Sequence, residues 1–322
     1  MPGQIQRNTL DIPFGIYAYC FTQTPVSFPH TLMGIDDEHE VYAIERNGLF
    51  AIVSALSLKE FSEDALDKKM TDMVWIASKA KKHEEVIEFV MTYTSKGCHE
   101  PLYRFSQSTF NKGEPEGILK KEDEGEEREN PQRTGVLTGC YSIPVVPLRF
   151  CTIYKNQETL FQTILPHKEK IIKFLNYTTD KTEWSVKIFC DKKVFMDRYD
   201  QRKGQPIKID QTSLLPGEGY LLAKKKHKIC EEALRVEIQR ILQDIYSTVL
   251  PYTDGCRFLR CFDKKIHGRS SDMVMNAAFL IKQQMLVSFR DSMNIQGEKY
   301  KNEGLVFELT GPWPPYSFCP EL

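Results

Sequence analysis

At 322 residues, with 41% hydrophobic and 27% charged side chains, the chain is long enough for two ordinary domains and apolar enough to bury a core. Its 43 basic against 44 acidic residues leave no global field of either sign, which argues against nucleic acid as a partner. No run approaches the roughly 18 apolar residues of a membrane span, and the opening MPGQIQRNTLDIPFG lacks the charged-then-apolar layout of a secretory signal. The expectation is a cytosolic protein with no membrane partner. Nine cysteines without a C-x-x-C pair read as reduced, mostly buried small apolar residues.

Gly15 to Thr22, rich in aromatic residues, reads as a first strand. Val41 to Glu45 and Leu49 to Ser54 read as two more, joined by Arg46-Asn47-Gly48, where Asn-Gly supplies the positive φ of a tight hairpin. From Ser62 the period becomes helical through Leu66, Met70, Met73, Ala77, Ala80, Ile87 and Val90, predicting one long amphipathic helix. His83 lies on or beside that stripe. HEEVIE lacks the second histidine of a zinc-protease helix, so His83 reads as a hydrogen-bonded core residue.

Cys98 to Gly139 breaks every period, and eight acidic against three basic residues between Glu114 and Glu129 predict a disordered acidic insertion at 112–135. Its alternatives are a solvated spacer or a lure for basic partners. Ile143 to Tyr154 reads as a buried strand that Pro144 and Pro147 place at an edge or bulge, with Arg149 its only charge. A helix from Asn156 to Leu175 leads to a strand at Trp184 to Cys190, taken to close the first domain.

The order of elements predicts an α+β fold with two domains: an N-terminal sandwich (1–197) close to a ferredoxin-like arrangement, with helices on one face of a mainly antiparallel sheet, a linker (198–212), and a C-terminal α+β domain (213–322). The latter opens on a long amphipathic helix through Leu234, Ile238, Ile241, Ile245 and Val249, which Pro251 stops. Lys224 to Lys228, with His227 among them, form a basic cluster near its start, read as a solvated face or a contact for an acidic partner. Strands follow at Cys256 to Phe262 and Met273 to Ile281. Asn276 interrupts the second, and if buried it requires a structural hydrogen bond to neighbouring backbone.

The chain closes on GLVFELTGPWPPYSF. Leu305, Phe307 and Leu309 alternate as in a strand that Gly311 is expected to stop, and Pro312, Pro314 and Pro315 then predict an extended segment near polyproline II. Trp313, Tyr316 and Phe318 project from it. Two readings stand: an aromatic clasp that ties the last strand to the body, or a presented docking surface formed by Trp313, Pro314, Pro315, Tyr316 and Phe318 together with Arg149.

No phosphate loop, G-x-G-x-x-G, G-x-S-x-G or paired metal-ligand spacing occurs, so neither enzyme activity nor a cofactor or metal is expected. ELTGPWPPYSF resembles the C-terminal signature of the gas vesicle accessory family F/L, and GIYAYCF, GLFAIVS, His83-Glu84, VVPLRFCTIY, EWSVKIF, PGEGYLLAKKK and NAAFLI are similar to further blocks of that family in the same order. The chain departs from the family pattern in an insertion of about forty residues before the VVPLRF strand, and in Cys151 where a glycine is usual. The resemblance implies a non-enzymatic protein with a modified ferredoxin-like first domain. It also implies action in gas vesicle formation by binding the hydrophobic shell protein, and in some systems other accessory proteins. The alternative is a small-molecule-binding regulatory module on a ferredoxin-like sheet.

Overall fold

The computed structural model describes residues 14–93, 105–108, 143–203 and 218–322. The expected acidic insertion at 112–135 lies outside them, as do the side chains of Lys224 to His227 in the basic cluster. In chain order the elements are β1 (Phe14–Thr22), β2 (Val41–Arg46), β3 (Leu49–Ser57), α1 (Leu58–Phe61), α2 (Glu63–Lys69), α3 (Met73–Thr92), β4 (Phe105–Ser108), β5 (Val146–Pro147), β6 (Ile153–Tyr154), α4 (Gln157–Ile164) and α5 (Lys168–Thr178). There follow β7 (Lys181–Cys190), α6 (Lys192–Lys203), α7 (Glu218–Val249), β8 (Gly255–Phe258), α8 (Lys264–His267), β9 (Asp272–Lys282), α9 (Leu286–Tyr300) and β10 (Leu305–Trp313). The fold is α+β with two antiparallel sheets.

The described chain divides into two compact units, one built from 14–93, 143–182 and 313–322, the other from 105–108, 183–203 and 218–312. This division differs from a cut at 198–212. Residues 198–203 are helical rather than linker, and β7 lies in the second sheet between β10 and β9 instead of closing the first. The last ten residues belong with the first unit.

In the first unit the strand order is β2-β3-β1-β5, with β6 also paired to β1. Asn47 (φ 56°) and Gly48 (φ 78°) make the two-residue turn between β2 and β3, and the Gly48 N–H donates to Glu45 Oε1 at 2.7 Å. Helices cover both faces of this sheet, a correction to the one-sided layering. Ile16, Ala18, Ala51 and Val53 face α4 and α5, whereas Tyr17, Tyr19, Cys20, Ile52 and Leu56 face α1 to α3. A register shift between Ala18 and Cys20 makes Tyr19 the extra residue of a bulge, which turns both Tyr19 and Cys20 to the α3 side.

The helix expected from Ser62 is broken at Thr71-Asp72. Thr71 Oγ1 donates to Lys68 C=O at 2.8 Å, and Asp72 accepts from the N–H groups of Val74 and Trp75, so a fresh N-cap outcompetes continuation. Met70, Met73 and Val74 are consequently exposed, and the buried stripe of α3 is His83, Val86, Ile87, Val90 and Met91. The helix from Asn156 splits in the same way: Asn156 caps α4 with a reciprocal box, and Pro166, lacking an N–H, ends it in a 3₁₀ turn before α5.

In the second unit the order is β4-β10-β7-β9-β8. Trp184, Val186 and Ile188 of β7, Ala277, Phe279 and Ile281 of β9, and Leu305, Phe307 and Leu309 of β10 face one way. They pack against Leu234, Ile238, Ile241, Ile245 and Val249 of α7 and against Phe289 and Met293 of α9, so the α7 stripe is core as its spacing requires. Asp191 caps α6 through the N–H groups of Lys193 and Val194, and its own N–H donates to Gly304 C=O at 2.9 Å. β10 does not stop at Gly311: the strand continues through a cis Gly311–Pro312 peptide to Trp313.

Candidate functional site

The first unit contains a hydrogen-bonded relay of side chains where β1, α3 and the loop between β5 and β6 meet. Tyr17 and Tyr19 are fully buried, and a phenol buried in an apolar layer must find a partner for its hydroxyl. Tyr19 Oη accepts from the Ile35 N–H at 2.7 Å and bonds Ser54 Oγ at 2.9 Å. The Tyr19 carbonyl, freed from the β3 ladder by the bulge, accepts from the Leu148 N–H at 2.8 Å.

His83, 1% exposed, lies 3.1 Å through Nε2 from the Leu148 carbonyl and 2.9 Å through Nδ1 from Tyr17 Oη. A carbonyl only accepts, so Nε2 carries the proton and Nδ1 accepts from the Tyr17 hydroxyl. Tyr17 Oη in turn accepts from the Cys151 N–H at 3.0 Å. Every polar atom in this chain of contacts thus has a role that fits neutral imidazole. Burial pushes the His83 pKa down to about 4, against the smaller upward pull of the Leu148 carbonyl, and burial raises both tyrosines.

The relay holds the loop 148–152 from behind. Phe150 meets the His83 ring edge-on at 6.1 Å, Arg149 between these anchors is exposed, and its carbonyl accepts from Thr152 Oγ1 at 2.6 Å. Cys151 has φ 65°, a backbone conformation in which a glycine is unstrained, so the departure noted at this position falls on a left-handed residue.

The C-terminal residues come to the same place. Pro314 and Pro315 are buried and Trp313 is half-buried. Tyr316 to Phe318 form a 3₁₀ turn instead of polyproline II, with the Phe318 N–H donating to the Pro315 carbonyl at 3.2 Å. Tyr316 packs on the Tyr17–Tyr19 layer and hydrogen-bonds Glu84, the neighbour of His83; burial, then Glu84, raise its pKa. Phe318 and Cys319 pack on the opposite layer, and Cys319 Sγ reaches the Pro147 carbonyl at 3.7 Å. The site residues read from the sequence in this unit, His83, Arg149, Trp313, Pro314, Pro315, Tyr316 and Phe318, therefore belong to one compact unit; the Tyr17–His83 relay underlies the loop that carries Arg149 and the layer on which Tyr316 packs, while Phe318 packs on the other face. Neither Tyr17 nor Glu84 was singled out as a site residue in the sequence, although the alternating tyrosines of GIYAYCF were a legible hint that one strand face needed polar partners.

The remaining sequence candidates lie in the second unit. Asn276 is buried and donates through Nδ2 to the Arg260 carbonyl at 2.8 Å, bracing the segment after β8. Gly311 has φ 143°, and a Cβ there would come within 3.0 Å of the Glu183 carbonyl and the Trp184 ring. Pro312 is buried beside it. Among the described residues, Asp36, Glu38 and His39 could bring three ligand atoms together. However, Asp36 already accepts from the N–H groups of Glu38 and His39 and from His39 Nδ1 at 2.6 Å, so the group closes a loop on itself.

The model of the gas vesicle synthesis protein GvpL/GvpF family matches residues 15–96 and 118–320. The chain belongs to this family. Gas vesicle protein L of Streptomyces sp. (strain CB03234) is 19% identical over 276 residues, covering 86% of this chain and 82% of the relative. Gas vesicle protein F of Nostoc sp. (strain PCC 7120) is 26% identical over 179 residues, 54% of this chain and 69% of the relative. The crystal structure of the gas vesicle protein GvpF from Anabaena sp. PCC7120 superposes with a TM-score of 0.63 at 20% identity, covering 96% of this chain and 99% of that one. GvpF from Microcystis aeruginosa gives 0.58 at 18%, covering 95% and 99%. The fold is thus that of the GvpF structures. Membership of the family gives the chain a role in gas vesicle assembly, and its family is not one of known enzymes. No helix among the described residues is long and apolar enough to cross a membrane.

Proposed function

We propose that the chain is a non-enzymatic assembly factor that works in the cytoplasm and binds the hydrophobic gas vesicle shell subunit during nucleation or growth of the shell, alone or with other accessory proteins. The observation that carries this is the family match over both units. A shell subunit with an apolar face and open strand edges would aggregate if left uncovered, and a partner that covers the face or caps an edge prevents this. Arg149 and the rim of the C-terminal turn form a contact surface whose shape is held by the buried relay behind it. The tail serves mainly as a clasp, since Tyr316 and Phe318 spend much of their area on the first unit's own layers. The small-molecule alternative needs an open sheet face, and helices cover both faces of the first sheet.

The test is co-expression with the shell subunit and pull-down against an unrelated apolar protein. Selective capture, weakened by Arg149→Glu without loss of folding, is the expected result. Equal capture of both proteins, or of neither, overturns direct shell binding.

A further inference from the structure

The sheet of the second unit ends at β8, and among the described residues nothing pairs with its outer edge. The Leu259 N–H donates to the Asn276 carbonyl at 2.7 Å, which fixes the parity of the ladder: odd residues turn their main-chain groups to β9, and those of Cys256 and Phe258 face outward. From 257 to 266 every residue is exposed. Phe258 is 64% exposed, Ile266 66%, Phe262 42% and Leu259 39%, an unusual density of large apolar side chains in water. The same ten residues carry four basic groups against one acidic, and Arg260 and Lys265 are both exposed among them, giving the segment a net positive charge.

An edge strand that only guards against aggregation is expected to be short and charged. β8 is short and carries charge at Arg257, but Phe258 within it and Leu259, Phe262 and Ile266 after it are exposed and apolar, which is the opposite of protection. A free ladder edge, exposed apolar side chains and a net positive charge together match an extended polypeptide that supplies backbone partners, apolar side chains at alternate positions and carboxylates at its ends.

We propose that β8 and the segment through α8 form a docking site at which an acidic-flanked, apolar segment of a partner protein adds as a further strand to the second sheet. The chemistry of this surface stands on its own and holds whichever vesicle component the assembly role engages.

Cys261, exposed in the middle of the band, supplies the readout. The full chain is titrated with a short fluorescent peptide that has an alternating valine–threonine centre and glutamate ends. Anisotropy gives the affinity, and peptide-resolved mass spectrometry gives the alkylation rate of Cys261. Binding with slowed alkylation is expected, with a loss of roughly tenfold or more in affinity for Arg260→Glu/Lys265→Glu, for a lysine-ended peptide, and for a peptide N-methylated at the amides that would meet the edge. Phe258→Ser weakens binding too, and because these positions are exposed the melting curves stay unchanged. The proposal is overturned by no binding, by equal binding of the lysine-ended or N-methylated peptides, or by protection of Cys261 with phosphatidylserine vesicles but not with peptide, which would make the band a membrane contact. None of these outcomes depends on capture of the shell subunit, so the two readings fail separately.

Discussion

Two segments of this chain look alike in sequence and differ in the fold. GPWPPYSF at 311–318 and FLRCFDKKI at 258–266 each place aromatic side chains close together beside residues that interrupt regular structure. The first turns its rings inward, with Pro314 and Pro315 buried and Tyr316 bonded to Glu84, whereas the second leaves Phe258 and Ile266 about two-thirds exposed. Aromatic content alone thus does not mark a docking surface. The difference lies in partners: the tail has a layer of tyrosines and a carboxylate to meet, whereas Phe258 meets the Tyr246 ring at 5.4 Å on one side only and no strand pairs with the outer edge of β8 among the described residues.

The largest effect expected of any perturbation to the buried side of this comparison is on the relay beneath the tail. His83 has its pKa lowered to about 4 by burial from an unfolded value of 6.5. A base with a depressed folded pKa contributes full stability above the unfolded value, and loses it as pH falls from about 6.5 towards about 4, a change of about 3 kcal/mol. Urea midpoints across that window check it. His83→Leu should flatten this slope and, by orphaning the Leu148 carbonyl and the Tyr17 hydroxyl, lower the neutral-pH plateau by about 2 kcal/mol. A wild-type profile that stays level from neutral pH to about pH 4 would contradict the buried neutral imidazole.

Next comes the clasp itself. Tyr316→Ala removes a half-buried ring and the bond to Glu84, and a cost of about 2 kcal/mol is expected in thermal or urea unfolding. Trp313→Ala should act in the same direction. If both variants melt like the parent and lose only binding, the tail is a docking surface and the comparison collapses. Gly311→Ala should cost about 1–2 kcal/mol, because φ 143° and contacts at 3.0 Å leave no room for a Cβ; an unchanged midpoint would mean the strand shifts at no cost. The smallest effect belongs to the exposed segment: Phe258→Ser should change stability by less than about 0.5 kcal/mol, and a larger drop would show that the band is packed rather than presented.

Much of the local architecture could be read in advance. The hairpin at Asn47-Gly48, the Asn156 cap, the edge position imposed by Pro147 and the α7 stripe all follow from signals a few residues long. The break at Thr71-Asp72 was legible too, in a second capping residue, but the apolar count across it suggested one helix. The prolines of the tail favour a stiff, extended backbone, yet backbone bonds from Tyr316 and Phe318 to prolines behind them fold it into a turn.

By itself, the amino-acid order determined the β2–β3 hairpin, the Asn156 cap, the apolar stripe of α7 and that His83 and Asn276 would need hydrogen-bond partners. Only the tertiary structure decided who those partners are. Tyr17 stands 66 residues from His83 and Leu148 stands 65 away, and Trp184's strand joins the second sheet rather than the first. The physical reason is range. Propensity, capping and periodicity act over a turn or two of chain, whereas the pairing of a strand edge or a buried hydroxyl is settled by which distant surface closes over it and expels the water.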